Sequence, residues 1–303
     1  MTPLAVVDAQ TLVDAIGLGA VYALMAVGIG LVFGVLRLVN FAYGQLVMAG
    51  AYTLAFTSGW PTLASLAACL VVVVALSTAM DYAVFRPLRG HSPAVMLVTT
   101  FAIAFLLQSV ALIVDVRDDT IGEPATVLNS LNQAVSVGGV DVRKVTLVAI
   151  VASAVALAGL ALLLGRTTIG LHMRAAAADF RTARLVGVRA DRVIGVAVLL
   201  SAVLAAVVAV ILTVQNPLVT PRFALVETIV VLVGVVVGGM NRLWTATLGG
   251  FAIGFATGVI NGALPTDKTV FLPSAVFALV ILVLLVRPGG LFARGDTGAV
   301  ERV

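Results

Sequence analysis

Apolar runs of about 20 residues recur along almost the whole chain, each long enough to cross the hydrocarbon core of a bilayer as a single helix. They fall at roughly 15–36, 63–85, 94–114, 145–164, 193–214, 223–240 and 270–286, with a shorter run ending at Phe56 and a glycine-spaced run after Arg242. Of the 303 residues, 61% are hydrophobic and 11% charged, and the mean hydropathy is +1.18, which is not the composition of a soluble domain. Such a chain must close its backbone hydrogen bonds within helices, because hydrocarbon offers no other partner.

The net charge of +4 would suit a nucleic-acid partner, but the arginines concentrate in loops on one face instead of along a groove, so nucleic-acid binding is excluded. Cys69 is the single cysteine and lies inside an apolar run, so no disulfide framework and no Cys/His metal cluster is expected. It reads as a small lipid- or core-facing residue. Asp8 and Asp14 precede the first span where a cleaved signal peptide would carry positive charge. That span is therefore expected as an uncleaved anchor.

The first span ends at Arg37, and Asn40-Phe41-Ala42-Tyr43-Gly44-Gln45 then interrupts before an apolar stretch too short for a clean crossing. Polar, glycine-containing backbone at membrane depth is tolerated where protein or a water-filled cavity receives the freed groups. Asn40, Phe41, Tyr43 and Gln45 are thus candidates to line a path, although a polar turn at the interface fits the spacing as well. His91, with no carboxylate or second histidine beside it, reads as a loop residue.

Residues 115–144 mix Asp115, Asp118, Asp119, Glu123 and Asp141 with Arg117, Arg143 and Lys144, and form the expected external loop. Within it, 135–142 alternates around Gly138-Gly139, which signals a short hairpin. Glu227 lies near the start of the seventh span, where a structural contact with Arg222 or simple hydration is expected. Gly250, Gly254, Gly258 and Gly262 recur every fourth residue, a strip that lets another helix approach closely.

The sum is an all-α, polytopic helical membrane protein, one domain over 1–303, with about nine spans (eight to ten) and a broken or re-entrant second segment. The amino terminus is expected outside and the carboxyl terminus inside. Arg37, Arg86, Arg89, six arginines between 165 and 192, Arg242, Arg287, Arg294 and Arg302 then lie inside. Arg117, Arg143, Lys144, Arg222 and Lys268 lie outside.

Residues 165–192 are the polar island between two spans and the expected cytoplasmic segment. Thr167 or Thr168 can cap a helix whose middle is alanine-rich, and Gly187 stands where a left-handed terminating residue belongs. Leu171, Ala175, Ala178, Thr182 and Leu185 share one side, with Arg174, Arg181 and Arg184 mainly on the other. That pattern suits docking into a groove on another protein. A basic loop that only satisfies the positive-inside rule fits equally well.

Residues 17–52, GLGAVYALMAVGIGLVFGVLRLVNFAYGQLVMAGAY, resemble the first-span signature of the permease subunits of bacterial branched-chain amino acid ABC importers. The island is similar to that family's coupling segment, with Gly170, Arg174, Ala175, Asp179, Ala183 and Gly187 on matching positions. The closing Arg287-Pro288-Gly289-Gly290-Leu291-Phe292 is similar to the family's terminal motif. Tyr43 stands where the family usually has histidine, Ala178 where a polar side chain is frequent, and Met240-Asn241-Arg242 where a Gly-Ser turn is common.

The resemblance implies a permease subunit without catalytic residues, moving branched-chain or other small amino acids across the bacterial cell (inner) membrane by alternating access. It implies a second permease subunit, identical or different, two cytosolic ATPase subunits and an external substrate-binding protein. ATP and Mg would bind the ATPases, and no cofactor or metal would bind this chain. The alternative within the family is urea, a short amide or another small solute. An ion-coupled carrier would need intramembrane carboxylates or a sodium cage, and the spans offer Asp81 and Glu227, both near span ends. A membrane scaffold would leave the island unexplained.

Overall fold

The computed structural model describes residues 8–36, 40–88, 92–114, 123–124, 128–137, 140–178, 180–185, 187–239 and 243–287. Its helices are α1 (Ala9–Leu36), α2 (Tyr43–Phe56), α3 (Thr62–Met80), α4 (Arg86–Leu88), α5 (Pro93–Val114) and α6 (Lys144–Arg166). They continue with α7 (Thr168–Ala178), α8 (Phe180–Leu185), α9 (Ala190–Gln215), α10 (Leu225–Gly238), α11 (Leu243–Ala263) and α12 (Leu272–Val286). The apolar runs thus become helices where they were expected, and seven are long and apolar enough to cross a membrane.

Two fall short. Helices α2 and α10 have 14 residues each, about 21 Å at 1.5 Å per residue, against a hydrocarbon core of about 30 Å. Expected from 223 to 240, α10 starts only after Ala224, whose φ of 61° lies in the left-handed region, and stops at Gly239, whose φ is 99°. Helix α2 is buried on nearly all sides.

The axis of the bundle is α1. Val21, Leu24, Met25 and Ala26 are fully buried, and the helix packs against α6, α9, α10 and α11. The glycine strip of α11 faces it. A Cβ at Gly254 would lie 2.8 Å from the Cα of Gly19, while Gly250, Gly258 and Gly262 meet Tyr22, Ala15 and Thr11. The strip therefore serves packing within the chain. Cys69 is buried beside Gly50, core-facing of its two expected settings.

Large apolar side chains on α5, α6 and α12 stay exposed, among them Phe105, Ile113, Val155 and Leu285. On a membrane protein that surface meets lipid tails as apolar as itself. Between α5 and α6, β2 (Ala134–Val137) and β3 (Val140–Arg143) pair antiparallel with Val137 opposite Val140, the register of the expected two-residue hairpin. A second small ladder joins β1 (Glu123–Pro124) to β4 (Leu218–Val219). Gly138-Gly139, His91, Asp179, Met240-Asn241-Arg242, residues 115–122 and the end of the chain from Pro288 lie outside the described residues.

Candidate functional site

The entrance to α2 separates the four candidate path residues. Asn40 is 3% exposed, and its Oδ1 accepts the N–H of Ala42 at 3.0 Å, so its side chain holds the turn that starts the helix. Tyr43 and Gln45 are sealed between helices at 0% and 1% exposure. The Tyr43 ring lies against Gly28 of α1, which has no Cβ to obstruct it. At the same glycine, Ser201 Oγ donates to the Gly28 carbonyl at 2.7 Å and ties α9 to α1. Among the described residues neither Tyr43 Oη nor Gln45 Oε1 finds a hydrogen-bond partner.

Phe41 behaves differently. It is half-buried, stands edge-to-face on Phe101 with centroids 4.9 Å apart, and lines an apolar cavity of about 380 Å³. Ile29 and Phe33 of α1, Leu97 of α5, Leu232 of α10 and Leu284 of α12 complete its wall. An aliphatic side chain could sit there without meeting an unsatisfied polar group. These lining residues are spaced far apart and look like any other span residue, so no motif marks them.

A second cavity, also about 380 Å³, opens between the last turn of α9 and the first of α10, with Asn216, Thr220, Arg222, Ala224 and Glu227 on its wall. The expected Arg222–Glu227 contact is not made. Arg222 is exposed and Glu227 half-buried, and no ion pair within 4.0 Å joins them among the described residues. On a continuous helix two residues five apart would point about 140° away from each other, and the left-handed Ala224 ends α10 before Arg222 is reached. For a residue with a Cβ that conformation costs about 1 kcal/mol or more.

At the opposite end of α9 lies the island. The hydroxyl of Thr167 accepts the N–H of Gly170 at 3.1 Å and caps α7. Gly187, with φ of 90°, ends α8, and the N–H of Val188 donates back to the Ala183 carbonyl at 3.0 Å, a Schellman closure. Gly170 is buried where a Cβ would strike the carbonyls of Leu163 and Leu164, so its lack of a side chain lets α7 fold back on the end of α6. Met173 and Ala176 pack into the bundle, Ala183 is buried, Ala175 is half-buried, and Leu171, Arg174 and Leu185 are exposed. Of the island's arginine side chains, those of Arg166, Arg174, Arg189 and Arg192 are described, and all are exposed.

One feature with no sequence motif is a π-turn, Asp81–Phe85, at the end of α3. It carries the ion pair between buried Asp81 and Arg86.

In course and packing the chain is similar to a solved chain described as a metal-chelate type ABC transporter in an inward-facing conformation. The TM-score is 0.55 at 15% identity, over 94% of this chain and 89% of that one. The fold, with its multi-pass helices, is thus one shared with a chain of that ABC transporter. More narrowly, the chain belongs to the family described as branched-chain amino acid transport system / permease component, whose model matches residues 11–286. The high-affinity branched-chain amino acid transport system permease protein BraD of Pseudomonas aeruginosa is 30% identical over 308 residues, 97% of each chain. The corresponding protein LivH of Escherichia coli K12 is 26% identical over 311 residues, again 97% of each.

Proposed function

We propose that this chain is the membrane-spanning subunit of an ATP-driven importer that carries branched-chain or other small amino acids across the bacterial cell (inner) membrane. It contributes no catalytic residue. ATP and Mg bind two cytosolic ATPase subunits, a second permease subunit completes the path, and an external binding protein delivers the solute. Residues 165–192 face the cytoplasm and 115–144 the outside.

The observation that carries this reading is the construction of the island. Its two short helices are capped at both ends and held to the bundle by Met173 and Ala176, yet they present Leu171, Arg174 and Leu185 to whatever lies below. That is a rigid docking piece, and α9, about 39 Å long, connects it to the far side. Movement imposed on α7 and α8 by a closing ATPase pair would reach α9 and α6 as rigid-body shifts. Asp179 and Gly187 belong to the same coupling unit, and the apolar cavity beside Phe41 supports a path for an aliphatic solute.

Purification from native membrane in mild detergent tests it. Recovery of two ATPase subunits and a second permease, followed by labelled leucine uptake after reconstitution with the binding protein, is expected. Isolation of this chain alone, under conditions that preserve a control ABC complex, would contradict it.

A further inference from the structure

The polar cavity at the end of α9 contains a pairing that an ordinary helix would not produce. Arg222 and Glu227 are five residues apart, and on one continuous helix they would point about 140° away from each other. The left-handed turn at Ala224 breaks that register and turns both side chains to the same cavity. Having been brought to one cavity, the two charges form no ion pair within 4.0 Å and have no other side-chain partner among the described residues.

Arg222 is therefore free for something else, and the Glu227 carboxylate, met by its own backbone N–H, can still take a further donor. A guanidinium offers a planar fork of donors that fits a carboxylate, and a half-buried carboxylate at the edge of a membrane protein favours a cation within reach. Leu212 and Phe223 line the cavity beside Asn216 and Thr220, so the wall is part apolar and part polar, and the volume of about 380 Å³ falls in the range of about 300–1,000 Å³ typical of small-molecule sites. The rim is built from Leu218, whose strand pairs with Glu123–Pro124 of the long loop, so the segment read as facing the binding protein borders the cavity.

We infer that this cavity is a reception site for a free amino acid, with Arg222 holding the α-carboxylate, Glu227 the α-ammonium, and the aliphatic side chain resting on Leu212 and Phe223. This rests on the reading of the chain as an amino acid permease and adds to it a place where the solute pauses after leaving the binding protein.

The test uses the whole complex in proteoliposomes with its binding protein, comparing wild type, Arg222→Gln and Glu227→Gln. Labelled leucine uptake and binding-protein-stimulated ATP hydrolysis are measured together. Leucine carried per ATP hydrolysed should fall at least fivefold in each variant while stimulated hydrolysis stays within twofold. Unchanged coupling overturns the site. A proportional fall in uptake and stimulated hydrolysis also overturns it, because the charges would then be contacts for the binding protein. Arg222→Lys, which keeps the charge but not the fork, is the second variant; it should couple less well than wild type and better than Arg222→Gln, and wild-type coupling from it overturns the carboxylate assignment. A wild-type complex that hydrolyses ATP on addition of the binding protein but moves no amino acid removes the functional reading and the site with it, an outcome visible before any variant is compared.

Discussion

The Nε of Arg86 donates to Oδ2 of Asp81 at 3.0 Å, and the guanidinium lies 3.5 Å from the centre of the Tyr82 ring. The π-turn makes this possible, since the backbone N–H of Arg86 bonds the Asp81 carbonyl five residues back. Asp81 is 2% exposed, and this cation, whose own side chain remains about a third exposed at 35%, is one of its partners. Arg86→Met is expected to lower the thermal midpoint of the detergent-solubilised protein by several degrees, because it takes from a buried carboxylate the cation bonded to it. The double variant Asp81→Asn/Arg86→Met should recover most of the loss. Equal midpoints for wild type and Arg86→Met would show that the pair contributes nothing.

The contact between α1 and α11 yields a second prediction. With no hydrophobic driving force between helices inside a bilayer, close backbone approach supplies much of the association. A side chain at Gly254 would meet Gly19 Cα at 2.8 Å, which the backbone cannot relieve by a rotamer change. Gly254→Val should cost roughly 1–3 kcal/mol, read as a lower SDS or thermal midpoint. Gly159→Ala on α6, where nothing lies within 4 Å, is the control and should be neutral.

How much of this was legible beforehand varies with its cause. The spans, the glycine strip, the hairpin at 134–143 and both caps of the island could be read because each follows from a local rule: apolar length, fourfold spacing, alternation, a threonine before and a glycine after. Burial could not. Helix α1 lies at the centre and α5 at the edge, yet both are equally apolar, since lipid and protein core make the same demand of a side chain. The shortness of α10 was hidden for another reason. It depends on a left-handed Ala224, a residue type that gives no warning of that conformation. The apolar cavity gathers residues from α1, α5, α10 and α12 through tertiary packing alone.

The island supplies a third prediction. Arg174 is exposed on α7, while the residues that hold the helix to the bundle lie on its other side. Arg174→Glu should therefore leave membrane insertion and thermal stability unchanged while reducing ATPase co-purification and uptake several-fold. Gly187→Val acts differently: a β-branched residue at a φ of 90° opposes the turn that ends α8. Its loss of coupling should come with a lower thermal midpoint. Normal uptake by Arg174→Glu would remove the coupling role.

Phe41 and Tyr43, two residues apart, are expected to respond in opposite ways. Phe41 lines the apolar cavity, so Phe41→Ala enlarges it and should change the relative uptake of leucine, isoleucine and valine, measured by competition in reconstituted vesicles. Tyr43 is enclosed against Gly28 with its hydroxyl unsatisfied among the described residues, and an unpaired buried hydroxyl costs about 1–3 kcal/mol. Tyr43→Phe removes that group and keeps the ring, so the thermal midpoint should hold or rise while the competition pattern stays as in the parent. Tyr43→Ala instead empties the space beside α1 and should destabilise by about 3–5 kcal/mol. A changed competition pattern in Tyr43→Phe at unaltered stability would place the hydroxyl on the solute's path in another state of the transport cycle.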